Sequence, residues 1–197
     1  IGKLGDGSAK DDGIYVLIKE VIDNSIDEHL MGHGKTIKIK VKEHRVEVRD
    51  FGRGIPLGKV IDCVSKINTG GKYDSEAFQK SVGLNGVGLK AVNALSNKFQ
   101  IESYREGEFK HAEFEKGKTV IEKNIGKTEE KNGTYIMFEP DQSVFKNYNY
   151  IPEYLEDQIW NYAYLNSGLT LNYNGRRYHS ENGLKDLLEN KTDSESI

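Results

Sequence analysis

The chain has 197 residues, enough for one shared core, with 36% hydrophobic and 30% charged side chains. Its 28 basic and 31 acidic residues leave a net charge of -3, which excludes a polybasic nucleic-acid arm or an acidic tail but leaves room for a local basic patch. No run of about 18 apolar residues exists to span a membrane, and the single cysteine, Cys63, excludes an internal disulfide and a cysteine-cluster zinc site, pointing to a reducing, cytoplasmic home.

The opening at Ile1 has no charged or apolar signal region and reads as a chain that has lost its true beginning. Asp11 and Asp12 offer an N-cap to a helix whose apolar residues, Ile14, Leu17, Ile18, Val21, Ile22 and Ile26, recur at helical spacing. Leu30 lies near its end, and Gly32 and Gly34 stop it. Two alternating runs, Ile37 to Val41 and Val46 to Asp50, flank a charged turn and predict a β-hairpin. A helical stretch from Gly58 to Ile67 breaks at Gly70-Gly71, a polar loop follows from Lys72 to Val82, and a third helix is expected over Lys90 to Asn97.

From Phe99 to Pro140 the hydrophobic period falls to two. Strands are predicted at Phe99 to Glu102, Phe109 to Phe114, Val120-Ile121 and Thr134 to Phe138. Pro152 suits the first residue of a helix carrying Tyr154, Leu155, Ile159, Trp160, Ala163 and Tyr164. A hairpin turns at Asn174-Gly175, Leu184 to Leu188 forms a closing helix, and the polar tail from Lys191 to Ile197 is expected to fray. Helices and antiparallel strands in this order imply a two-layer α/β sandwich of the α+β class, not a doubly wound parallel sheet.

Four features carry chemistry, each with a plain alternative. On the first helix Glu20, Asp23, Asn24 and Asp27 form a polar stripe, either a solvated face or a site for a hard cation with one carboxylate free as a base. Asp50 shares strand parity with Val46 and Val48, so it is either a turn-forming aspartate or a buried acceptor for an exocyclic amine such as that of adenine. The run Gly83-Leu84-Asn85-Gly86-Val87-Gly88 opens a helix, as a tight turn or a phosphate cradle; its order matches neither the dinucleotide fingerprint nor a P-loop. Thr134 has the parity of Ile136 and Phe138, so its hydroxyl either satisfies a backbone group or meets a ligand. Together the four supply what a Mg·ATP pocket without a P-loop requires.

The residues Glu20 to Glu28, Arg49 to Pro56, Asn68 to Asp74 and Gly83 to Ser96 closely resemble the N-terminal ATPase domain of bacterial type IIA topoisomerase B subunits, those of DNA gyrase and topoisomerase IV. That family sits in a superfamily with Hsp90, MutL and histidine kinases. The resemblance spans nearly the whole chain, and Asn85, where gyrases usually carry His, leans toward topoisomerase IV.

The resemblance implies a Bergerat-type fold, a mixed and mostly antiparallel sheet with helices on one face, over residues 1–190. It implies Glu20 as the base polarising the attacking water, Asn24 as the Mg²⁺ ligand, and Asp50 as the adenine acceptor, helped by a water shared with Gly54 and Thr134. Gly83, Leu84, Asn85, Gly86, Val87, Gly88 and Leu89 would wrap the triphosphate, with Gly71 and Lys72 flanking the same lid. Asp27, Glu28, Arg53, Ile55, Pro56 and Arg105 would line the pocket mouth that inhibitors reach, Arg53 bracing Glu28 or another carboxylate. Val16 stands where many members carry a His, so the base is expected to act alone.

An N-terminal arm and a transducer domain are expected outside this stretch, leaving a monomeric nucleotide-binding subdomain, slow or inactive alone. In the full-length protein the resemblance implies ATP-dependent self-dimerisation, an A-subunit partner, DNA handled elsewhere in the enzyme, and no membrane. Two rival functions stand beside the ATPase motor: an Hsp90- or MutL-like conformational switch, and a Mg²⁺-dependent hydrolase of small phosphates without adenine recognition.

Overall fold

The computed structural model describes residues 4–65 and 87–194, and all that follows concerns those residues. In chain order they form α1 (Gly13–Leu30), β1 (Thr36–Lys42), β2 (Arg45–Asp50), α2 (Val60–Ser65), α3 (Gly88–Ala94), β3 (Ser96–Arg105), β4 (Glu108–Glu115) and β5 (Lys118–Glu122). Then come β6 (Gly126–Lys127), β7 (Gly133–Pro140), α4 (Pro152–Leu165), β8 (Thr170–Tyr173), β9 (Arg176–His179) and α5 (Leu184–Ser194).

The strands make one sheet in the order β5-β4-β3-β7-β2-β1-β8-β9, with β6 on β4. The β1–β8 pair is parallel and the other recorded pairs are antiparallel. This is the expected mixed, mostly antiparallel sandwich.

Period-two alternation decides which side chains face the helices. One inner row runs through Phe114, Phe99, Phe138 and Val46, and the next through Ala112, Ile101, Ile136, Val48 and Ile39. All nine are buried, and α1 closes over them with Ile14, Leu17, Ile18, Val21, Ile22 and Ile26. The third row breaks the pattern: Ser103 pairs with Thr134, Asp50 pairs with Ile37, and an Asp50–Thr134 hydrogen bond joins the two halves. A polar band thus crosses one end of an apolar sheet, beneath α1.

Several element boundaries differ from expectation. Asp12 is the N-cap of α1, but its side chain accepts from the Gly7 and Ala9 amides at 2.9 and 3.2 Å instead of capping the helix. The third helix begins at Gly88 and ends at Ala94, because the alternation of β3 already starts at Ser96 and claims Asn97. The second helical stretch is a 3₁₀ turn, Leu57–Lys59, followed by α2; Ile67 lies outside the described residues. α5 continues through the polar tail to Ser194 instead of ending at Leu188.

Candidate functional site

The site grows from the end of β2. Asp50 is 2% exposed, placed inward by the same parity as Val46 and Val48. Its Oδ1 accepts the Gly52 amide at 2.9 Å and the Thr134 amide at 3.2 Å, and its Oδ2 accepts the Ser25 hydroxyl at 3.1 Å. Burial pushes the carboxyl up to about 6, against the pull of these three bonds and of the Arg49 charge. A carboxylate offers about four lone-pair positions, so three bonds leave room on Oδ2 for one more donor.

Neighbouring groups hold this end of the strand. The Arg49 guanidinium donates to the Asp50 carbonyl and lies over the rings of Phe51 and Tyr104, 4.5 and 4.7 Å from their centroids. The Thr134 side chain is buried, and its hydroxyl makes no hydrogen bond among the described residues.

The loop after Asp50 is pinned to β3 and α1. Gly54 has φ +78° and lies so close to the Tyr104 carbonyl and the Ser103 hydroxyl that a Cβ would overlap them, so only glycine fits there. Ser103 donates to the Ile55 carbonyl at 2.6 Å, and Arg105 to the Gly54 carbonyl at 3.1 Å. Glu28, 8% exposed, accepts the Arg53 amide at 2.9 Å and the guanidinium through Nε and Nη2 at 3.2 and 2.9 Å. Burial acts to raise the Glu28 carboxyl, but the Arg53 hydrogen bonds outweigh it and hold the group below its usual range. Glu28 is therefore the carboxylate that Arg53 braces. Asp27 is half-buried and raised, by burial first and then by Asp23 and Glu28.

One turn and more before Ser25, the half-buried Glu20 reaches the start of α3. A Cβ on Gly88 would collide with the Glu20 carboxylate, so the glycine permits a carboxylate to rest against the first residue of a helix. Val87 precedes that helix, and no side-chain cap covers its first-turn amides among the described residues. Leu89 beside them is buried in the core and Val87 is exposed.

The polar stripe does not act as one cluster. Asp23 turns to α4, where Oδ1 accepts the Tyr162 hydroxyl at 2.7 Å and Oδ2 pairs with Lys19. Among the described residues no group of three or more His, Cys, Asp or Glu side chains could hold a metal. Asn24 is half-buried and has no side-chain partner among the described residues. Its lone carbonyl suits an ion that keeps waters and phosphate oxygens around it, which fits Mg²⁺ better than any cation needing a protein cage. A groove of about 560 Å³ on the other flank of α1, lined by Lys19, Tyr154, Trp160 and Tyr164, contains none of Glu20, Asp23, Asn24 or Asp27.

A family model for histidine kinase-, DNA gyrase B- and HSP90-like ATPases matches residues 9–143, more than half of the chain. The chain belongs to that ATPase family. It is 53% identical to the B subunit of DNA topoisomerase 4 from Borreliella burgdorferi over 197 residues, all of this chain and 33% of that protein. The DNA gyrase B subunit of Mycoplasmoides gallisepticum is 35% identical over 203 residues, covering 93% of this chain and 31% of the relative. The chain thus spans about a third of these relatives.

Among solved structures, the 43K ATPase domain of Thermus thermophilus gyrase B, in complex with an aminocoumarin, superposes with a TM-score of 0.73 at 27% identity, over 95% of this chain and 50% of that one. The topoisomerase IV ATP-binding domain of Francisella tularensis, in complex with a small-molecule inhibitor, also gives 0.73, at 31% identity, over 89% and 51%.

Within this ATPase-family chain the structure gathers Glu20, Asn24, Asp27, Glu28, Asp50, Arg53, Gly54, Ile55, Pro56, Gly88, Arg105 and Thr134 around α1, the end of β2 and the facing ends of β3 and β7. Gly71, Lys72, Gly83, Leu84, Asn85, Gly86 and the Lys72 to Val82 loop lie outside the described residues. Sequence patterns miss three contributors: Ser25, Ser103 and Tyr162. The first two carry a usable signal, a serine at a buried position within an otherwise apolar face, whereas the Tyr162–Asp23 bond joins residues 139 apart.

No described helix is long and apolar enough to cross a membrane.

Proposed function

We propose that this chain is the nucleotide-binding part of a type IIA topoisomerase B subunit, closer to topoisomerase IV than to gyrase, in which ATP binding and hydrolysis drive DNA strand passage. The observation that carries the reading is Asp50, a carboxylate buried at the end of a strand whose inner face is otherwise apolar, with acceptor capacity to spare. An ionised acid there selects an amine over a carbonyl, hence adenine over guanine.

Gly54 and Thr134 would share a water with the bound base. Asn24 would hold Mg²⁺, which when bound supplies charge neutralisation to the phosphates. Gly83 to Leu89, with Gly71 and Lys72, would enclose the triphosphate on backbone amides. Glu20 would accept the proton of the attacking water, acting without a histidine because Val16 occupies that position. Asp27, Glu28, Arg53, Ile55, Pro56 and Arg105 would form the mouth where an inhibitor binds, making the site an antibiotic target.

The unit would comprise residues 1–190. In the full-length protein, ATP would drive self-dimerisation, with the A subunit as partner and the cytoplasm as location. The type IIA reading is favoured over an Hsp90- or MutL-like switch by the 53% identity with a topoisomerase 4 relative.

The test compares the wild-type full-length protein with Glu20→Gln. The variant is expected to bind ATP as tightly as wild type, to prefer ATP over GTP, and to lose steady-state turnover by about 100-fold or more. Normal turnover would remove Glu20 from the chemistry, and equal affinity for GTP would remove Asp50 from adenine recognition.

A further inference from the structure

We propose that the outer face of the sheet at β1, β8 and β9 is a contact surface for the phosphate backbone of duplex DNA. This departs from the expectation that DNA is handled elsewhere in the enzyme: the choice of DNA as the polyanion rests on the proposed function, and the surface itself rests on how charge is distributed over the sheet.

Along β1, Ile37 and Ile39 are buried, while Lys38, Lys40 and Lys42 alternate with them and are exposed. The strand register sets a continuous outer row of His111, Glu102, Tyr135, Arg49, Lys38, Asn172 and Arg177. This row changes sign along its length, and the two halves are treated differently.

On the β4–β3–β7–β2 side the carboxylates find partners within the fold. Glu102 bonds His111 Nδ1 at 2.7 Å and the Tyr104 hydroxyl, and Glu113 bonds His111 Nε2 at 2.8 Å. Glu47 accepts the Tyr135 hydroxyl at 2.6 Å, and Glu139 pairs with Arg45 at 2.8 Å. On the other side Lys38, Lys40, Lys42 and Arg177 have no carboxylate partner among the described residues, although Glu47 stands level with Lys40. Lys38 rests over the Phe51 ring, 5.4 Å from its centroid, which leaves its charge available.

Four cations are thus held on a rigid sheet without internal neutralisation. At about 3.4 Å per residue and 4.8 Å per strand, the patch spans about 14 Å along β1 and about 10 Å across to β9. A duplex carries one phosphate charge per about 1.7 Å of its axis, so about eight charges fall within that length. Ammonium groups on flexible stems match phosphates without reading bases, and the side-chain amide of Asn172 in the same row adds a neutral donor. The net charge of -3 is a sum over the whole chain and does not reveal this patch.

The decisive experiment is an anisotropy titration of a short labelled DNA duplex with the chain and with the combined variant Lys38→Gln, Lys40→Gln, Lys42→Gln and Arg177→Gln. Wild-type affinity should fall about 150-fold between about 50 and 200 mM salt, and the variant should lose most of that slope, about 0.9 per contact removed. A control replacing the exposed Lys118 and Lys123 near the opposite sheet edge should bind like wild type. ATP titration of the same proteins should give equal affinities, which separates a failed surface from a failed nucleotide pocket. Wild-type affinity and slope in the fourfold variant would overturn the proposal, as would polyglutamate competing as well as unlabelled duplex.

Discussion

Asp50 is the residue on which recognition turns, and its environment fixes how recognition depends on pH. The amine of adenine needs the ionised carboxylate, and burial brings ionisation to about 6. ATP affinity is therefore expected to be level above pH 7 and to fall about tenfold per unit once the pH drops below 6. Calorimetric titrations from pH 8 to pH 5 measure this. Ser25 donates to Oδ2 and stabilises the charged form, so Ser25→Ala should move the midpoint upward and weaken ATP binding at neutral pH. An unchanged midpoint in that variant would mean the Ser25 bond does not tune the acid.

At the scale of elements, α1 carries Glu20 against α3, and the contact depends on a missing side chain. In Gly88→Ala the new methyl meets the free end of Glu20, which can swing aside at little cost to the fold. Turnover of the full-length protein should fall by about tenfold or more while the melting temperature stays within about 2 °C of wild type. Equal turnover would show that Glu20 does not work from that position.

The same elements show how much is legible in the chain. Alternation locates β1, β2 and β7, and the parity of Asp50 with Val46 and Val48 foretells its burial, because period two is a local property. The parallel β1–β8 pairing brings Thr36 beside Thr170 and leaves no local trace. Spacing on α1 is likewise local, so the polar stripe does not reveal that Tyr162 arrives from α4 to bond Asp23.

For the molecule as a whole, burying Asp50 trades stability for function. Its folded value of about 6 lies above the ordinary 3.8, so the unfolded chain releases this proton first as pH rises. Stability from this group is full below about pH 4 and is lost as pH rises to 6, a cost on the order of 3 kcal/mol at neutral pH. Asp50→Asn removes the charge, and its melting temperature at pH 7.5 should equal or exceed that of wild type, with the advantage shrinking toward pH 4.5. Thermal melts at the two pH values check this; a variant equally destabilised at both would mean that the three hydrogen bonds outweigh the burial of charge.

The most direct measurement is calorimetric titration of ATP into the wild-type chain and into Asp50→Asn at pH 7.5. The wild type should bind and the variant, folded by its melt, should lose about 100-fold or more in affinity, because an amide group facing an amine leaves a buried donor unpaired. Undiminished affinity in the folded variant would contradict the assignment of Asp50 as the adenine acceptor.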